Sequence, residues 1–160
     1  MKQIITKPKE DLIFDLKVRE MCKWCKRYGK KATCPPHIES VEYYSTVLEK
    51  FKHGIIYYDF FPTGGDAEEV GYKSSMEIYK KVTDKRIQLF AEGHYLIMVL
   101  GAGSCKLCDR CTFPCHIPDQ GIIPVEATGI DVVKMMEQHG VKISFPVSET
   151  LIRVGMVLYD

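Results

Sequence analysis

From Asp11 to Glu20, apolar residues fall on alternate positions: Leu12, Phe14, Leu16 and Val18. A period of two predicts a half-buried strand. Further on the period lengthens. Val41, Tyr44, Val47, Leu48 and Phe51 lie on one stripe at helical spacing, which predicts a helix over Ser40 to Lys52. Gly54 to Phe61 reads as a strand, ended by Pro62 and Gly64-Gly65. Asp66 and Glu69 have the spacing of a helix cap and its reciprocal partner. A long helix is expected from there to about Glu92, with Met76, Tyr79, Val82, Arg86 and Phe90 near one face and Gly93 as its stop. Tyr95 to Leu100 is continuously apolar, as in a central strand buried on both faces. Thr128 and Asp131 open a further helix that ends at Gly140, and Leu151 to Tyr159 is the last strand. The order β–α–β–α–β–α–β predicts an α/β fold. The expected form is one compact domain over 1–160, a small central sheet with flanking helices in two or three layers.

Composition adds bounds to this picture. The chain has 160 residues, 46% of them hydrophobic, enough for one real core. Its longest apolar run, Tyr95 to Gly103, is too short to span a bilayer, so no membrane role is expected. A formal net charge of +1 exerts no global pull toward nucleic acid. The first residues lack the apolar core of a secretory leader, which points to a reducing cytoplasm. The cations are uneven, however. Lys23, Lys26, Arg27, Lys30 and Lys31 cluster within nine residues. They form a solvated loop, offset an anionic thiolate site, or dock an acidic redox partner. An RNA-binding zinc knuckle fits less well, since the surrounding segment has few other nucleic-acid features.

The chemistry lies in seven cysteines. Cys105, Cys108, Cys111 and Cys115 follow the spacing C-x2-C-x2-C-x3-C, which in bacterial ferredoxins holds iron–sulfur clusters. The corners of a [4Fe–4S] cubane lie within a few ångströms, so cysteines two residues apart in a tight loop reach three of them. Zinc is the main competitor, but structural zinc sites usually pair two separated C-x2-C knuckles. Buried thiols without metal are the bland alternative. The segment follows the apolar strand through Gly101-Ala-Gly103, and glycines there let the backbone approach an inorganic core. Pro114 and Pro118 keep the chain near Cys115 out of helix.

Cys22, Cys25 and Cys34 form a second, incomplete array, C-x2-C-x8-C-P-P. One tetrad and one triad leave a coordination position that cysteine does not fill. Three arrangements fit: a second [4Fe–4S] cluster with an open or His37-bound iron, an exchange of Cys115 between the groups, or a zinc site completed by His37. The stiff Cys34-Pro35-Pro36 step favours the first. His37 and His116 each lie within three residues of a cysteine, although solvated imidazoles are the commoner outcome. His94 and His139 read as surface residues. Trp24, between two cysteines, is expected to shield the site from water.

Taken together, Cys22-x2-Cys25-x2-Tyr28-Gly29-Lys30, Cys34-Pro35-Pro36, Gly103-Ser104-Cys105 and Val125-Glu126-Ala127-x-Gly129-Ile130-Asp131 resemble the DUF2284 family of predicted metal-binding proteins. The resemblance spans nearly the whole chain and implies that all seven cysteines bind metal in loops near 22–38 and 101–127. It implies no reaction. Electron transfer or a redox-accessory role heads the expectations. An enzyme or sulfur- or ligand-handling protein using an open iron position comes next, and a zinc-stabilised interaction module last.

Overall fold

A computed structural model describes residues 1–64, 66–145 and 149–160, with backbone only at Ala67. Five strands, β1 (Lys2–Thr6), β2 (His53–Pro62), β3 (Ile97–Gly101), β4 (Ile123–Pro124) and β5 (Thr150–Tyr159), form one sheet in the order β1-β2-β5-β3-β4. All neighbours are antiparallel except β3 and β4. The helices are α1 (Pro8–Asp11), α2 (Leu16–Met21), α3 (Val41–Leu48), α4 (Ala67–Ala91) and α5 (Val132–Gln138). The fold is mixed α/β.

The period-two pattern of β5 explains the layering. Val154, Met156 and Leu158 pack with Tyr44 and Leu48 of α3 and with Val132, Met135 and Met136 of α5. The opposite face carries Val157, which packs with Ile78, Val82 and Leu89 of α4. Each such fully buried side chain contributes roughly 1.5–3 kcal/mol. Gly155 lets α4 come close: a β-carbon there would collide with Ile78 and meet the Leu100 carbonyl at 3.1 Å. Three helix starts match the sequence reading. Ser40, Asp66 and Asp131 each accept a hydrogen bond from the first turn of α3, α4 and α5. Gly93 and Gly140 follow α4 and α5 in the left-handed region, as stops. Gly65, expected at the end of β2, lies outside the described residues.

The Asp11–Glu20 strand is not formed. Asp15 accepts from Lys17 N–H and caps α2, and Leu16 is exposed on that helix. Only Ile13 to Asp15 are extended against another segment, through Phe14 paired to Ile130, the Asp131 N–H donated to Ile13 and the Asp15 N–H donated to Gly129. The alternation was therefore a buried Leu12 at a helix end, a single bridge and a capped helix, not one strand. The first strand is β1, at the edge of the sheet, where the pattern of the sequence predicts none. The buried stripe of α4 is also rotated from the expected one: Phe90 is exposed and stacks edge-on against Tyr95, itself exposed before β3 begins. β3 is thus buried only over its last three residues, Val99 to Gly101.

Candidate metal centre

Both cysteine groups lie in irregular chain at the end of the sheet where β3 finishes. The triad grows out of α2. A single 3₁₀ turn, Cys22–Trp24, continues the helix, and turns and bends lead to Cys34. Arg19 ties α2 to the rest of the site, donating to the carbonyls of Ala127 at 2.6 Å and Glu39 at 3.0 Å. The tetrad follows β3 directly, with Gly103 in the left-handed region, and irregular chain persists from 102 to 122.

The fold brings these two segments together. Ala32 N–H donates to Cys111 Sγ at 3.2 Å, the His37 ring lies 4.3 Å from that of Phe113, and a β-carbon on Gly121 would meet the Thr33 methyl at 3.2 Å and Cys115 Sγ at 3.9 Å. Within the groups the sulfurs also sense one another. Burial pushes the Cys34 thiol up to about 11, and Cys25, Cys22 and, from the other group, Cys105 add to the rise. Burial likewise raises Cys22, partly offset by Arg19. Cys108 is raised by desolvation, then by Cys105, Cys115 and Cys111. All seven cysteines are unpaired thiols, and only Cys34 is fully buried. Among the described residues no three His, Cys, Asp or Glu side chains converge on the position of one ion.

The histidines occupy distinct places. His37 Nε2 is 3.1 Å from the Gly29 carbonyl, a contact that engages one ring nitrogen and leaves Nδ1. His116 Nδ1 pairs with the Thr112 hydroxyl at 2.9 Å, and its Nε2 is 4.0 Å from Cys108 Sγ. His94 and His139 are half-buried rather than plain surface residues, His94 contacting the Asp160 carbonyl. Trp24 is 92% exposed. It shields nothing, because the 3₁₀ turn projects it away from the protein. Trp24→Ala should leave both the midpoint of urea unfolding and the rate of metal loss in air within error of the parent, as for an ordinary surface change of about ±0.5 kcal/mol or less. Faster metal loss in the variant would restore the shielding role.

A feature the sequence reading missed lies beside the triad. Cys22, Cys25 and Cys34 line a cleft of about 850 Å³, together with Glu126 and Arg153. Glu126 is open to solvent by surface area, yet protein surrounds it, and the lost hydration raises its carboxyl. Arg153 is half-buried, and desolvation lowers it while Glu126 opposes that shift. The clue in the sequence was a carboxylate between the apolar Val125 and Ala127 of the motif segment, both of them core residues.

The chain matches the family model described as "Predicted metal-binding protein (DUF2284)" over residues 6–159. It belongs to the DUF2284 family. No curated protein and no solved structure matches it. DUF2284 is a family of predicted metal-binding proteins. The donor set fits: sulfur ligands select soft or borderline metals, and seven unpaired thiols in two packed segments, Cys25 and Cys111 each accepting a backbone N–H, supply them. Among the described residues of this DUF2284 protein, no helix is long and apolar enough to cross a membrane.

Proposed function

We propose that this chain is an iron–sulfur protein with a redox role, Cys105, Cys108, Cys111 and Cys115 holding a [4Fe–4S] cluster and Cys22, Cys25 and Cys34 a second centre. The observation that carries this reading is the packing of the two cysteine segments, joined by the Ala32 N–H on Cys111 Sγ. An N–H directed at a cysteine sulfur favours its thiolate form and is a recognised lever on cluster potential. Adjacent centres suit the passage of single electrons from one group to the other, which is what such clusters supply. Thiolates also need cations nearby, and Arg19, Arg27 and Lys106 surround the two segments. A reducing cytoplasm suits such sulfur ligands.

The ligand-handling reading gains from one specific observation, the cleft that the triad lines. A coordination position that no cysteine fills would face it, with His37 Nδ1 as the other candidate for that position. Docking of an acidic redox partner is supported by the exposed Met21 and Trp24 beside Lys23, Lys26, Arg27 and Lys30. Lys23 and Lys26 are already paired to Glu20 and Glu68, which leaves Arg27 and Lys30 as the stronger contributors.

The test is iron and acid-labile sulfide per chain in protein made anaerobically with ample iron. Broad absorption near 400 nm, reversibly bleached by dithionite, should accompany about four irons and four sulfides for each full cubane. Stoichiometric zinc without sulfide would replace this reading with a zinc-stabilised module.

Metal removal gives a second measurement. The hydrophobic clusters on both faces of the sheet draw on the strands and helices and include none of the seven cysteines. Chelated protein should therefore keep its far-UV circular dichroism while protease cuts appear within 22–38 and 102–122. Loss of all secondary structure on chelation would instead mark a fold that depends on metal, as in zinc fingers.

A further inference from the structure

The cleft has the size of a small-molecule site, since such pockets run from about 300 to 1,000 Å³, and its character is set by few groups. Much of its wall is apolar, with Val132, Ile143 and Ile152 among the lining residues. Arg153 and Arg27 also line it. Lys106 stands at its edge, its Nζ 2.9 Å from the carbonyl of Ser104, a residue of the wall. A β-carbon on Gly103, another residue of the wall, would lie 3.7 Å from Lys106 Nζ. Among the described residues, none of these three cations is in an ion pair.

Arg153 and Lys106 are half-buried and Arg27 is exposed beside them, and like charges gathered at one cleft repel one another. Such an arrangement persists where an anion offsets it. Glu126 supplies one negative charge, and the cysteine sulfurs behind Lys106 supply more when they hold metal. Arg153 nevertheless has donors to spare. Its Nε donates to Ser74 Oγ and one Nη2 hydrogen to the Gly71 carbonyl, both at 3.1 Å. These bonds lock the guanidinium to α4. Nη1 and the second Nη2 hydrogen are without a hydrogen-bond partner among the described residues. A fixed guanidinium with unused donors, on the wall of a largely apolar cleft, is the device that recognises a planar or tetrahedral oxyanion attached to an apolar body.

We propose that this cleft binds a small organic anion, its acidic group held by Arg153 with Arg27 and Lys106, and its apolar body set against Val132, Ile143 and Ile152. Glu126 stands beside the bound acid and rejects ligands that carry more negative charge than the cations can balance. The proposal deepens the ligand-handling reading, and rests on it only for the claim that the bound anion faces the metal centre.

The test uses anaerobically purified full-length protein, whatever metal it carries, with metal content measured on the same samples. Equilibrium dialysis compares benzoate, phenyl phosphate and neutral benzamide. The proposal expects saturable one-to-one binding of at least one anion and none of benzamide, with the preferred anion showing whether a carboxylate or a phosphate monoester is the natural group. Arg153→Lys keeps the charge but loses the fork, and should weaken binding by about tenfold or more, as for a lost charge-assisted hydrogen bond. Arg27→Met with Lys106→Met should do the same while leaving the Arg153 bonds to Ser74 and Gly71 in place, which covers the case of an Arg153 variant that misfolds. Binding of neither anion, equal binding of benzamide, or unchanged binding in the folded variants overturns the proposal. Zinc in place of iron with benzoate binding intact overturns the iron–sulfur reading and leaves the cleft assignment standing.

Discussion

Serine at Cys105, Cys108, Cys111 and Cys115 together should abolish one complete cluster, about four irons and four sulfides per chain, while the triad keeps its own metal. Serine at Cys22, Cys25 and Cys34 should do the converse. The reason for expecting independence is topological. The tetrad hangs from the end of β3, a strand of the sheet, and the triad from the end of α2, a helix outside it. The reason for expecting some cross-talk is the contact between them, since Ala32 of the triad segment donates to Cys111 of the tetrad. Electron paramagnetic resonance of the reduced protein reads both effects. Two reduced clusters this close should broaden each other, and each variant should show the narrower signal of the survivor. Full metal content and an unchanged spectrum in the triad variant would remove the second centre from the account, and with it the argument from the odd cysteine count. A spectrum lost in both variants would point instead to one centre that draws on both segments.

Gly129→Ala should be among the most damaging single substitutions outside the cysteines. Gly129 has φ +92°, where a β-carbon costs about 1–2 kcal/mol. The added carbon would also lie 2.6 and 2.7 Å from the two methyl groups of Val41, a buried residue at the start of α3. Overpacking of that kind costs typically about 1–3 kcal/mol. The sum, about 2–5 kcal/mol, is a large share of the stability of an ordinary domain. The position also holds the site in place. The Gly129 N–H donates to the Glu126 carbonyl, and its own carbonyl accepts from Asp15 N–H at the start of α2. Strain there moves Glu126 and the helix that leads to Cys22 together. The expected result is a lower urea midpoint at unchanged slope, with weaker anion binding in the folded fraction. In the Val41→Ala background the crowding part of the penalty should shrink while the backbone part remains, so the two changes should couple favourably. A variant as stable as the parent would show that this turn relaxes without cost.

Much of the scaffold could be read locally. Ser40, Asp66 and Asp131 cap helices because a short acceptor side chain needs only the next few backbone N–H groups. Gly93 and Gly140 end helices for a reason just as local, and the strands around Gly54–Phe61 and Leu151–Tyr159 carry their own apolar pattern. The failures share a cause. Leu12, Phe14, Leu16 and Val18 alternate like a strand, but Asp15 caps a helix in their midst, and the only extended pairing is to Ile130, more than a hundred residues away. β1 is short and lies at the sheet edge, so it carries little pattern of its own, and its ladder to β2 spans some fifty residues.

The candidate chemistry divides in the same way. The amino-acid sequence alone determined the donor set, seven cysteines in two spaced groups, because ligand type and loop slack are properties of neighbouring residues. Tertiary structure alone decided that the two groups adjoin, that Trp24 points away into solvent, and that Glu126, Arg153, Arg27 and Lys106 gather at a cleft beside the triad. Those relations depend on which strand lies next to which, and on how closely a helix can approach a sheet at a glycine. Such distances are fixed by burial of the whole core, and no local window of sequence contains them.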